Sequence, residues 1–97
     1  MSNPYNDKAL LRIVKRKARR IGVVVKPSTR KNKKLDVFKN DKKVASIGDI
    51  RYRDFLLYRR SDGTKKANER RRLYKIRHNK HRHKAGTPSY YSDKILW

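Results

Sequence analysis

Gly22-Val23-Val24-Val25-Lys26, Lys34-Leu35-Asp36-Val37-Phe38 and Lys43-Val44-Ala45-Ser46-Ile47 are three short runs, rich in β-branched residues and separated by turn formers. Branched side chains sit well on a pleated surface, so each run predicts a strand. Val23 alternates with Val25, and Leu35 with Val37, which places apolar side chains on one sheet face and cations on the other. Asn40-Asp41, between the second and third runs, suits a tight hairpin. The three runs together predict a small antiparallel meander, and the rest of the chain is organised around it.

Upstream, residues 6–21 have helical periodicity. Leu10 or Leu11, Val14, Ala18 and Ile21 share one stripe, while Lys15, Arg16, Lys17, Arg19 and Arg20 fill most of the remaining surface. Asn6 or Asp7 is suited to cap this helix and Gly22 to end it. Residues 1–21 thus read as a basic arm that lays its stripe on a neighbour, in preference to a helix lying on a membrane surface, ahead of a domain over residues 22–97.

Downstream, Tyr52-Arg53-Asp54-Phe55-Leu56-Leu57-Tyr58 fits either a short helix or an extended stretch over the sheet. Ser61-Asp62-Gly63-Thr64 breaks the chain, and Thr64 can cap a basic helix over residues 65–84, most regular as far as about His78. That stretch holds ten Lys or Arg against the single acid Glu69. Thr87-Pro88 is a helix-starting pair and opens an aromatic C-terminal helix over residues 88–97. The fold class is α+β: a basic N-terminal helix, a small three-stranded antiparallel sheet, then two or three short helices.

Composition restricts what such a fold can do. Thirty Lys and Arg stand against eight Asp and Glu in 97 residues, a net charge of +22. Self-repulsion of that size opposes compaction, so the chain is suited to an anionic partner. The apolar share of 35% is below the roughly 45–50% of ordinary globular chains, which implies a thin core. Without cysteine there is neither a disulfide framework nor a thiolate metal site. No apolar run approaches the roughly 18 residues of a membrane span, and the N-terminus lacks a secretory apolar region, so a soluble intracellular protein is expected.

The chemistry that remains is contact with polyanions. The cations singled out for it are Lys15, Arg16, Arg19 and Arg20 on the first helix, Arg30 and Lys31 in the first hairpin loop, and Arg70, Arg71, Arg72, Lys75, Arg77, Lys80, Arg82 and Lys84 in the long basic stretch. Residues 26–33 mix hydroxyls, backbone donors and cations as an anion-holding loop does, although without a phosphate loop's glycines. Tyr52, Phe55, Tyr74, Tyr90, Tyr91 and Trp97 are the aromatics suited to docking or to the core.

Catalysis is not expected. The acids are scattered, and no nucleophile elbow, paired carboxylate or Walker loop appears. His78, His81 and His83 lack a cysteine or nearby acid and lie among Arg77, Lys80, Arg82 and Lys84, which would repel a divalent cation, so no metal site is expected. Neither a cofactor nor a small-molecule substrate is implied. Helix-turn-helix, zinc-finger and zipper signatures are missing, and Phe38 is the lone strand aromatic for stacking a base.

Several motifs occur in a telling order: Pro27-Ser28-Thr29-Arg30-Lys31, Gly48, Tyr52-x-Asp54-Phe55, Glu69-Arg70, Tyr74-x-x-Arg77-His78, Ser89-Tyr90-Tyr91-Ser92 and Leu96-Trp97. In that order and spacing the chain resembles a group of small, basic, uncharacterised proteins encoded by large nucleocytoplasmic DNA viruses. The resemblance spans roughly residues 24–97, and the basic N-terminal helix departs from it. It implies a viral origin and a place in the virion or the virus factory, and brings no catalytic residues.

With the charge and the aromatic terminus, it implies a non-enzymatic virion structural protein. Such a minor capsid or cement component would contact larger acidic coat subunits, or the inner membrane or genome side. The alternatives are a viral protein that coats or condenses DNA or RNA through the phosphate backbone, and a ribosomal protein.

Overall fold

A computed structural model describes residues 2–97. The fold is α+β, a three-stranded antiparallel sheet with an N-terminal helix and three helices after it. A 3-10 turn, Pro4–Asn6, leads into α1, Lys8–Arg20. The Asp7 carboxylate caps α1 by accepting hydrogen bonds from the Ala9 and Leu10 N–H groups. At the other end Gly22 is left-handed at φ +75°, and the Val23 N–H returns to the Ala18 carbonyl.

Strands β1 (Val24–Pro27), β2 (Lys33–Lys39) and β3 (Lys42–Asp49) follow in the order β1-β2-β3. Val25 faces Val37, and Leu35 faces Ile47. Asn40 and Asp41 both have positive φ, the backbone that a two-residue hairpin with the natural strand twist requires. The β2/β3 register shifts by one residue at Val37/Phe38.

One buried cluster holds the molecule together. Leu10, Val14 and Ala18 of α1 join Val25, Leu35, Val37 and Ile47 of the sheet and Ile95 and Leu96 near the C-terminus. The helix read as an arm is therefore part of the same core, because its stripe is the apolar cover that the sheet face needs. Tyr5, ahead of α1, is fully buried as well.

The second sheet face, read from the sequence as cationic, is partly buried and carries an acid as well. Lys34 and Asp36 are buried. The Lys34 ammonium lies 3.0 Å from Asp54 Oδ2, and the Tyr5 hydroxyl donates to the same oxygen at 2.7 Å. The Lys34 stem passes over Gly48, which has φ +76° and no space for a side chain: a Cβ there would lie 2.8 Å from Lys34 Cδ and 2.9 Å from Leu96 Cδ1.

Asp54 also accepts from the Leu57 N–H and so caps α2, Phe55–Asp62, which resolves the 52–58 stretch as a helix start. Helix α3, Thr64–Arg77, begins after Gly63, and Thr64 is its first helical residue, not its cap. It stops at Arg77, close to the end expected at about His78, and does not run on through the basic stretch to residue 84. Beyond it, residues 78–84 offer no apolar side chain to bury and no acid to relieve their repulsion, and the chain continues as turns. Thr87 caps α4, Pro88–Tyr91, which widens into a π-helical turn at Ser92–Leu96. Among the described residues no helix is long and apolar enough to cross a membrane.

Candidate functional site

The cations separate into an outer set and an inner set. Lys15, Arg16, Arg19 and Arg20 are exposed on α1, Arg30 and Lys31 on the β1–β2 loop, and Arg72, Arg77, Lys80 and Lys84 on α3 and the turns after it. None of these ten pairs with a carboxylate among the described residues. They occupy three separate elements of a body measuring 36 × 30 × 24 Å, so positive potential extends over several sides.

Lys75 and Arg82, assigned to the polyanion surface from sequence, turn inward instead. Both approach the buried Asp93 carboxylate, Lys75 Nζ at 2.5 Å and Arg82 Nη1 at 3.6 Å. Arg70 and Arg71 are half-buried over aromatic rings, Arg70 at 5.4 Å from the Tyr58 centroid and Arg71 at 3.5 Å from that of Phe55. Asp93 lies 18 residues from Lys75, a separation at which sequence spacing carries no pairing signal.

The hydroxyl-rich loop after β1 has an internal acceptor. Ser28 Oγ donates to Asp36 at 2.6 Å, Ser46 Oγ at 2.7 Å, and the Thr29 N–H at 3.3 Å. Burial alone would raise the Asp36 pKa, but the bonds from Ser28, Ser46 and Thr29, with Lys43 beside them, hold it below the usual carboxylate range. The loop holds a carboxylate, as its composition suggested, and that carboxylate belongs to β2.

Most of the aromatics serve the fold. Phe55, Tyr74 and Tyr91 are buried, and Tyr90 and Trp97 partly so. Tyr74 stacks on Trp97 at 4.5 Å and on His78 at 4.3 Å, and Tyr58 leans on Trp97 at 6.4 Å. These rings line an open groove of about 610 Å³, together with Arg53, Arg70 and Arg77. With its rings stacked on one another, the groove is poorly suited to receiving a base. Tyr52, at its edge, is 68% exposed, and Ile76 on α3 is 64% exposed.

His78 is part of that stack. Its pKa is lowered, first by burial and then by Arg77 and His81, with Asp93 opposing. His83 Nε2 faces Asn79 Oδ1 at 3.2 Å.

Residues 23–78, from the start of the sheet to the end of α3, match the family described as "Family of unknown function (DUF5754)". The chain belongs to this family. Its DUF5754 segment supplies the sheet, Asp54, Phe55 and the exposed Arg72, Ile76 and Arg77, whereas α1 and the turns after His78 lie outside it. No curated protein and no solved structure matches the chain.

Lys17, read from the sequence as one of the cations on the surface of α1, and Arg59, which no motif marks, both turn toward Phe55. Lys17 is half-buried, its ammonium 5.8 Å from the Phe55 centroid. It comes three residues after Val14 and one before Ala18, so a helical projection already sets it at the edge of the apolar stripe. Burial chiefly, then Arg71, Lys75 and Arg59, with Asp54 opposing, push Lys17 down from 10.5 to about 8.

A stability change with pH follows. Between these two values the unfolded chain keeps the proton that the folded chain has lost, so stability rises with pH through that window. Tyr74, raised by burial to about 12, and Tyr5, raised further, act in the opposite sense above pH 10, where unfolded tyrosines ionise first. Thermal melts at constant ionic strength are expected to show Tm rising from about pH 8 to about pH 10. Lys17→Met should flatten the rise.

Proposed function

We propose that this protein is a non-enzymatic structural component of a large DNA virus particle, a minor capsid or cement protein seated between larger acidic coat subunits. The viral assignment rests on the sequence resemblance, and the mode of action on the surface. The observation that carries it is the exposed Ile76 among cations, with Arg72 one turn before it on α3 and Arg77 beside it. An apolar side chain within a set of arginines has the composition of a protein interface, where apolar anchors exclude water and guanidinium groups bind carboxylates in bidentate fashion. Tyr52 is a second exposed anchor.

Ten exposed cations without internal acids, spread over three elements, suit a plug that touches more than one neighbour. The workplace that goes with this reading is the virion and the virus factory. A genome-coating role is the second reading, favoured by the purely cationic outer face of α1, where Lys15, Arg16, Arg19 and Arg20 have no exposed apolar anchor among them.

Tyr52→Ala combined with Ile76→Ser separates the two. Both residues are exposed, so the fold should be retained, and affinity for genome-free capsid shells is expected to fall about tenfold or more. Affinity for random duplex DNA should be unchanged. An equal loss on both ligands, or no loss on shells, would remove the anchors from the account.

A further inference from the structure

Three cations converge on one phenyl ring. Lys17 of α1, Arg59 of α2 and Arg71 of α3 place their charged centres 5.8, 5.8 and 3.5 Å from the Phe55 centroid. None of them pairs with a carboxylate among the described residues. Asp54, next to the ring in sequence, is already engaged by Tyr5, Lys34 and the Leu57 N–H. The Arg71 Nε is buried without a hydrogen-bond partner.

A ring face attracts a cation, but it does not cancel the repulsion among three of them. An anion held among them would cancel it. We propose that Lys17, Arg59 and Arg71 form a binding site for a phosphate dianion, taken as free phosphate or as a phosphomonoester. Guanidinium groups match tetrahedral oxygens in bidentate fashion and the ammonium adds a point charge. A diester carries a single negative charge, whereas a monoester carries close to two at neutral pH, so three converging cations fit the monoester better.

Arg59 is exposed, while Lys17 and Arg71 are half-buried. Burial and Arg59 lower the Arg71 pKa, and burial chiefly lowers that of Lys17, costs that a bound dianion would offset. The site requires only these residues and is independent of which polyanion meets the outer cations.

The test uses the full chain, with inorganic phosphate titrated against sodium chloride at matched ionic strength. Saturable one-to-one binding is expected, with a Tm above the chloride baseline. O-phosphoserine binding as well would assign a monoester, and its failure beside phosphate binding would assign free phosphate. Dimethyl phosphate should not bind, and if it bound as tightly as phosphate the dianion assignment would be wrong. Lys17→Gln or Arg71→Gln should weaken phosphate about tenfold or more, whereas Arg72→Gln, on the exposed face of the same helix, should not.

NMR of the wild-type Lys17 ammonium gives a readout that does not depend on any variant folding. Its titration midpoint, about 8 without ligand, should move up when phosphate is added. An unmoved midpoint, or a chloride response equal to that of phosphate, would overturn the proposal.

Discussion

Asp54→Ala is expected to cost about 3–5 kcal/mol, the usual cost of removing one partner from a buried ion pair. A domain of this size has roughly 5–15 kcal/mol in total, so the variant should be marginal or unfolded at room temperature. Lys34 and Asp54 are 2% and 1% exposed. With the carboxylate gone, the Lys34 ammonium has no anion, the Tyr5 hydroxyl no acceptor and the Leu57 N–H no cap.

Urea unfolding followed by Trp97 fluorescence measures the loss, since Trp97 is stacked on Tyr74 in the folded state. Asp54→Asn keeps a capping side chain and isolates the charge. Combining it with Lys34→Met should recover much of the stability, because neutral replacements of both charges leave no unpaired ion buried, while the Asn oxygen can still accept. If Asp54→Ala melted within about 1 kcal/mol of wild type, the buried network would not be holding the N-terminal turn, the sheet and α2 together.

Reversing charge on the outer face of α3 and on the turn after it should have the largest effect on binding. Arg72→Glu, Arg77→Glu and Lys80→Glu together alter exposed residues without internal carboxylate partners, so stability should change little, or rise as self-repulsion falls. Like charges brought together across an interface cost several kcal/mol, so affinity for an acidic coat surface is expected to fall about 100-fold or more. Equilibrium binding at fixed salt would measure it. The same reversal applied to Lys15, Arg16 and Arg19 should cost less on shells if α3, with Ile76 at its centre, is the main contact. Equal losses would spread the interface over both helices.

The sheet was legible because its evidence is local. Val23/Val25 and Leu35/Val37 alternate, Asn40-Asp41 tolerates the left-handed turn, and Asp7 caps α1 within three residues. Lys34 was not, since a strand lysine ordinarily faces water, and its partners Asp54 and Tyr5 are joined to it only by folding, with Tyr5 and Asp54 themselves 49 residues apart. The inward turn of Lys75 and Arg82 is hidden in the same way, behind Asp93. Composition alone gave the excess charge correctly but could not sort exposed Arg72 from Arg71, its neighbour over Phe55. Helical phase could have done so, as it could have marked Lys17.

The most direct test of the structural-protein account compares two affinities of the purified chain as salt is raised: for genome-free capsid shells and for random duplex DNA. The account predicts saturable shell binding that exceeds DNA binding at physiological salt, because the apolar anchors persist when charge is screened. Tight DNA binding, falling steeply with salt at about −0.9 per phosphate contacted, with no saturable binding to shells, would contradict it.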